Sequence, residues 1–416
     1  MSQVHGASWF SRLPNFPRSF QSKYLIGSRK SRTRQLNPKL LFQTMLELVA
    51  GTNGEGYLHA LSKSFGFPSK SSALKIPTKS ALCQRRARVS YKFFRDLFLK
   101  LIDRFEPYRK SFRGFRIYAI DGLELTLPRT QSVLKSKFRG RAVSSNREMY
   151  YPRMYLTHCY DVLSGTTKDF RHSPLMSEMP DAEEMVPELE KNSITLYDRF
   201  YISKRMISVH KMGQNYFIMR ARQGHLKEIQ TFFESPKMRT SIVIEGALVH
   251  LIKIKNPHSN EFAVFATNLP RDWVKSHLIE HLYALRWEVE TSFKDLVCTL
   301  KLEQWHSKTI NGILQELYSA FWLLNFTKIQ LSFHEKTPKS PLQWEYSKPN
   351  LKLILSQVIG SLSKIFKRVC GVLNFIPTVI NFSTERRKRY SRRYNRELKT
   401  SSTTFPYNNT LWCLSA

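Results

Sequence analysis

Residues 282–296, LYALRWEVETSFKDL, put a tyrosine, an arginine, two glutamates and a lysine into one amphipathic stretch. On a helical wheel, Tyr283, Arg286, Glu290 and Lys294 share an arc of about 80°. Glu288 and Asp295 fall on a different face, while Leu282, Leu285, Val289 and Leu296 form a stripe that belongs in a core. Glu290 is therefore the carboxylate that stands among cationic and hydroxyl donors. That grouping suits a metal ion flanked by groups that bind phosphate oxygens. The same spacing also describes a solvated helix laced by i,i+4 ion pairs, Arg286 with Glu290 and Glu290 with Lys294.

Two aspartates could complete such a centre. Asp121 follows the apolar run FRIYAI, and Asp198 follows SITLY. Each run reads as a strand, and open α/β sheets place their sites beyond the strand ends, where a carboxylate is held rigidly. Taken singly, an Asp in such a place is more often a turn or helix-cap residue. Taken as a pair on neighbouring strands, they could hold a hard cation such as Mg²⁺. Two ions about 3.5–4 Å apart need a further carboxylate and support in-line phosphoryl transfer.

The elements that must position these groups divide the chain into zones. Residues 1–38 form a basic, proline-containing arm with Arg29, Lys30, Arg32 and Arg34. Residues 39–110 read as helical: PKLLFQTMLELVAG opens with Pro and closes with Gly. In the next helix, Thr78 or Ser80 is the predicted cap, and Arg85, Arg86 and Arg88 form a basic face. Such a helix suits insertion into a DNA groove, or is simply solvated.

The period changes at residue 111. Over 111–221 the pattern gives strands, a turn at 161–165, and then alternating helices and strands, an α/β layer. Residues 222–268 alternate with β-branched side chains and read as an added β segment. Residues 269–332 return to long helices. Residues 333–416 read as a mostly helical region ending in a basic tail, ERRKRYSRRYNRELK, with Tyr390 and Tyr394 interleaved.

Composition sets the class of partner. Sixty-six Lys and Arg against thirty-two Asp and Glu give a net charge of +34, which favours a polyanion. Apolar residues at 42 % and aromatics at 13 % describe a folded chain. No stretch is long and apolar enough to span a membrane, and no secretory h-region opens the chain. Five scattered cysteines with no CxxC pair argue against a disulfide scaffold or zinc module and fit a reducing compartment.

The remaining chemistry-bearing residues read as structural. His158 and Cys159 are adjacent on a strand and must face opposite sides. His306 sits in a loop. Trp273 and Trp305 flank the glutamate helix, where core packing competes with base stacking. No Gly-rich phosphate loop implies a nucleotide cofactor.

The motifs together resemble the DDE transposases of insertion sequence family four, whose signature is Tyr-x2-Arg-x3-Glu-x6-Lys. YALRWEVE supplies Tyr283, Arg286 and Glu290; IDG supplies Asp121; YDRFYIS supplies Asp198. YDVLSGTTKDF and SEMPDAEE lie between them in the family's order, and TKSALCQRRARV resembles the family's DNA-binding region. The resemblance spans roughly residues 40–330. It implies an RNase H-like catalytic core with a β-rich insertion before the glutamate helix, an all-α N-terminal DNA-binding domain and a mostly helical C-terminal region. It implies two Mg²⁺ or Mn²⁺ ions held by Asp121, Asp198 and Glu290. Tyr283, Arg286 and Lys294 would position the DNA end. The partners implied are double-stranded DNA, as element terminal repeats and as target, and a second copy of the chain on paired ends. The setting implied is the bacterial cytoplasm, in association with the nucleoid.

Two departures stand out. The signature's last Lys falls on Val297, with Lys294 one turn earlier, and Phe200 stands where Gly follows Asp-Arg. A decayed, DNA-binding descendant and a structure-specific nuclease are therefore the competing functions.

Overall fold

The computed structural model describes residues 16–27, 36–51, 56–65, 76–138, 150–174, 177–224, 226–255, 262–334, 345–367 and 372–388. Arg29, Lys30, Arg32 and Arg34 of the arm, and the tail with Tyr390 and Tyr394, lie outside the described residues.

Eight strands form one sheet in the order β3-β2-β1-β4-β5-β8-β7-β6. β1 (Arg116–Thr126), β2 (Arg153–Asp161) and β3 (Thr166–Ser173) form an antiparallel meander. The turn between β2 and β3 falls where the sequence places it, and Gly165 supplies its positive φ of 71°. β4 (Ser193–Tyr197) lies parallel to β1, and β5 (Tyr216–Arg220) parallel to β4. β6 (Arg239–Ile244), β7 (Ala247–Lys255) and β8 (Phe262–Thr267) extend the same sheet through an antiparallel β5–β8 pair. Glu245 and Gly246, both at positive φ, make the tight β6–β7 turn.

Strand alternation gives the sheet two apolar faces. Ile117, Ala119, Ile194, Leu196 and Ile218 share one face with Leu282, Leu285 and Val289 of the glutamate segment. Tyr118, Ile120, Tyr197, Phe217 and Met219 face the other way, against helices Met179–Met185, Lys204–Gly213 and Lys227–Glu234.

A third apolar cluster joins helices Pro38–Ala50, Tyr57–Phe65, Lys79–Arg88 and Lys92–Phe105 to helix Ile310–His334. Asn37 and Thr78 cap two of them, accepting from Leu40 N at 3.0 Å and Ala81 N at 3.1 Å. Helix Ile310–His334 is buried on nearly every side, as an apolar surface all round requires. Trp322 stacks on Phe326 and meets Phe42 edge-on, both at 5.1 Å. Its polar side chains fasten the other layers. Asn325 exchanges two 2.9 Å hydrogen bonds with the Thr167 backbone of β3. Lys328 holds Asp295, just past the glutamate helix, at 2.8 Å.

This helix also corrects the expectation for two arginines of the basic helix. Arg85 and Arg86 are buried, and only Arg88 of the three is exposed. The Arg86 guanidinium donates to Glu316 Oε1 at 2.7 Å, Gly312 O at 2.9 Å, Gln315 Oε1 at 3.1 Å and the Tyr57 hydroxyl at 2.9 Å. Arg85 Nε donates to Leu36 O at 3.1 Å. A buried guanidinium bound by a buried carboxylate is an internal fastener and has no surface to offer DNA.

The C-terminal region carries helices Leu351–Gly360, Leu362–Phe366 and Phe375–Ser383, and in addition a two-stranded ladder, Glu345–Lys348 with Glu385–Lys388. No helix among the described residues is long and apolar enough to cross a membrane.

Arg86→Ala leaves Glu316 buried without its arginine partner, held only by the His306 backbone amide and ring. It is expected to lower unfolding stability by about 3–5 kcal/mol. Arg88→Ala, at an exposed position, should stay within about 0.5 kcal/mol of the parent in the same urea titration.

Candidate active site

Asp121 and Asp198 come side by side through strand register. β1 and β4 pair in parallel with Ala119 opposite Leu196. Two residues further along each chain stand Asp121 and Asp198, on the same face as Ala119 and Leu196. That is the face the glutamate segment covers. β1 does not end at Asp121 as the sequence suggests. It continues to Thr126 along β2, so Asp121 lies mid-strand on one side and beyond the last β4 pair on the other. Backbone amides fix both carboxylates: Gly122 N donates to Asp121 Oδ1 at 3.0 Å, and Phe200 N to Asp198 Oδ1 at 2.7 Å.

The glutamate segment is not the single helix assumed on the wheel. Helix Ser276–Ala284 tightens at residues 285–286, where Leu285 N and Arg286 N bond to the carbonyls three residues back, each at 3.0 Å. Helix Trp287–Lys294 follows and widens into a π-helical turn over Asp295–Thr299. Such irregular turns recur at functional sites. Despite the break, the predicted grouping of three residues holds. Arg286 Nη2 reaches Glu290 Oε1 at 2.9 Å, and Arg286 Nη1 reaches Asp121 Oδ2 at 3.3 Å. The guanidinium also lies 4.9 Å from the Trp287 ring and 5.8 Å from the Tyr283 ring. Tyr283 is in turn held edge-on by Phe265 at 4.9 Å.

One buried guanidinium thus joins the first aspartate to the glutamate. The electrostatics follow from this crowding. Burial raises the Asp121 pKa most, Arg286 opposes that, and the charges of Asp198 and Glu290 raise it further, to about 7. Arg286 itself is held above its usual range by Tyr283, Asp121 and Glu290 against the opposing effect of burial. Burial likewise raises the Tyr283 phenol.

Residues 113–326, just over half of the chain, match the family described as Transposase DDE domain. The chain belongs to that family. The match takes in the whole eight-stranded sheet, the glutamate helix and the first part of helix Ile310–His334. Among solved structures, the chain is similar to one described as a cryo-EM structure of a piggyBac transposase synaptic complex with hairpin DNA. The identity is 12 %, the coverage 97 % of this chain and 84 % of that chain, and the TM-score 0.49. None of the curated proteins matches.

DDE transposases use divalent metal ions, and the donor chemistry here fits them. Carboxylate oxygens on adjoining rigid elements are what a hard cation selects. Among the described residues, however, no three His, Cys, Asp or Glu side chains are grouped to hold an ion. The guanidinium of Arg286 fills the space between Asp121 and Glu290.

Lys294 is exposed. Val297, at the signature's last position, is half-buried against the helical core. Phe200 is 58 % exposed beside Asp198, with the Arg222 guanidinium 5.6 Å from its ring. His158 and Cys159 are buried on opposite faces, and His158 Nε2 meets Thr167 Oγ1 at 2.9 Å. Trp305 donates to Thr126 O at 2.7 Å, and Trp273 packs edge-on against Phe115 at 4.8 Å. The His306 amide donates to Glu316 at 2.9 Å.

Three residues near the site escaped the sequence. Arg220 follows Met219, the partner of Tyr197, and is exposed next to Asp198. Glu178 and Tyr201 approach from the opposite face of the sheet. SEMPDAEE and YDRFY were visible as motifs, but only the fold shows where these two side chains go.

A carboxyl whose folded pKa is raised stabilises the fold below its unfolded pKa and loses that contribution as pH rises through the folded value. For Asp121 the loss spans about pH 4 to 7. In EDTA, the melting temperature of the parent relative to Asp121→Asn should fall across that window. Parallel curves for the two proteins would contradict the burial and charge crowding assigned to Asp121.

Proposed function

We propose that this chain is a DNA transposase that cuts and joins strands at the ends of an insertion sequence. Asp121, Asp198 and Glu290 hold two Mg²⁺ or Mn²⁺ ions on an RNase H-like core. The strand order β3-β2-β1-β4-β5, antiparallel through β1 and parallel after it, supports that core. β6–β8 are the β-rich insertion before the glutamate helix. The observation that carries the proposal is the meeting of Asp121 and Glu290 on Arg286, with Asp198 next in register.

The chemistry divides among this chain's side chains. Arg286 neutralises Asp121 and Glu290 in the free protein. A phosphodiester's two free oxygens are an alternative bidentate partner for the same planar guanidinium. With a DNA end in place, Arg286 would pass to the phosphate, which would leave Asp121 and Glu290 free to hold cations. Tyr283 and Trp287 keep the guanidinium in the plane of that exchange. The bound ions supply acidity to water and neutralise charge on the phosphoryl oxygens. Water would add to the phosphorus, the P–O bond to the 3′ oxygen of the element's end would break, the phosphate would stay on the flanking strand as a 5′-phosphate, and a 3′-hydroxyl would be left. That hydroxyl attacks a second phosphodiester, so each bond broken is matched by one formed.

Lys294, Arg220 and Arg88 offer exposed cations to the backbone, in keeping with the chain's excess of 34 positive charges. Residues 39–110 serve as the DNA-binding domain. Two copies act on paired ends in the bacterial cytoplasm. Val297 favours a second function, an end-binding protein that no longer cuts, because an apolar side chain packed on the helical core replaces the signature lysine.

The test is Mg²⁺-dependent nicking of a labelled fragment carrying the element's own end. Cutting by the parent should fall more than about 100-fold in Glu290→Ala, beyond what loss of an outer-sphere partner costs a metal site. Binding without cutting by the parent, with cutting by Val297→Lys, would assign the second function.

A further inference from the structure

Glu178 stands at the N-terminal boundary of helix Met179–Met185, on the far side of the sheet from Glu290. Its carboxyl comes back to the strand that carries Asp121 through the space left by Gly122. A Cβ at position 122 would lie 3.0 Å from Glu178 Cδ and 3.1 Å from Oε2. Gly122 has no left-handed backbone to explain it, so what it provides is room for this carboxyl.

Charge sharpens the point. Arg286 neutralises Asp121 and Glu290. Among the described residues, no Lys, Arg or His comes within ion-pair distance of Asp198 or Glu178. Lys and Arg outnumber Asp and Glu two to one in this chain. Two neighbouring carboxylates with no protein cation in ion-pair distance are a place for an external one.

A second observation comes from Tyr201. It is wholly buried, and its hydroxyl has no hydrogen-bond partner. The charges acting on it are those of Glu178, Asp121 and Asp198, in descending strength. Buried hydroxyls are rarely left unpaired, and an oxygen brought in with an ion would satisfy this one.

We propose that Glu178 is a further ion-holding carboxylate of the same centre, binding a divalent cation with Asp198 directly or through water. This rests on the function proposed above. It adds a residue that the three-carboxylate signature does not contain. It also gives the centre a side that Arg286 does not guard, where a first ion can bind before DNA arrives.

The experiment is a titration of the full chain with Mn²⁺ alone, without DNA, following the loss of the free-ion electron paramagnetic resonance signal. Glu178→Gln should weaken Mn²⁺ binding about tenfold or more, with an unchanged melting temperature in EDTA. Gly122→Ala keeps every carboxylate and only displaces Glu178, and it should weaken binding in the same direction. Glu183→Gln, on the same helix but ion-paired with Arg205 of the neighbouring helix, should bind as the parent does. Parent-like affinity in Glu178→Gln and Gly122→Ala, with binding lost in Asp198→Asn, would overturn the role of Glu178 and leave the metal centre standing. A parent that binds no Mn²⁺ at all would overturn both.

Discussion

Carboxylates gathered at one place in a fold repel one another, and something positive between two of them relieves that. In this chain the something is Arg286, buried to 7 % exposure and bonded to Asp121 on one side and Glu290 on the other. The rest of the molecule can be understood as the means of holding that contact. Parallel pairing of β1 with β4 sets Asp121 beside Asp198. The break at residues 285–286 turns the glutamate segment so that Arg286 and Glu290 lean over the strand ends. Leu282, Leu285 and Val289 press the segment onto the sheet, and Lys328 ties down its far end at Asp295. A guanidinium in this place keeps the acidic centre together when no ion or phosphate is present, and phosphate is the ligand most able to draw it away.

The same economy of charge explains why basic composition is an uneven guide to a DNA surface. The net charge of +34 belongs to the whole chain, yet some of its cations are spent inside. Arg86 and Glu316 form a buried pair, and Arg109 is enclosed by Asp161 at 2.8 Å with Glu106 and Glu190 close by. The first pair fastens two helices of the helical layer to each other, and the second ties Arg109, just past that layer, to the end of β2. The cations left for a polyanion are the exposed ones, among them Arg88, Arg220 and Lys294.

What could be seen in the sequence follows from how local each signal is. The β2–β3 turn, the strand ending before Asp198 and the helix closing at Gly213 are set by neighbours in the chain, and they fall where pattern places them, whereas β1 runs on past Asp121 because β2 pairs with it to Thr126. Helical phase was enough to separate Glu290 from Glu288, since Tyr283, Arg286 and Glu290 stay on one side even where the helix breaks. Lys294, on the same predicted arc, is exposed. The errors at Arg85 and Arg86 are of another kind. Their partners, Leu36 and residues 312–316, lie far away in the chain, so nothing near them in sequence marks them as buried. Glu178 was hidden for the same reason. It meets Gly122 across the sheet, and a glutamate before a short helix looks like any other first-turn acid.

The central claim is that Arg286 and the cations compete for one set of carboxylates. The most direct measurement is anomalous scattering at the manganese edge from crystals of the chain bound to its DNA end with Mn²⁺. The predicted result is density within about 2.0–2.6 Å of oxygens of Asp121, Asp198 and Glu290, with Arg286 moved onto a phosphate. Arg286 still bridging Asp121 and Glu290 in the complex, with no manganese between them, would contradict it.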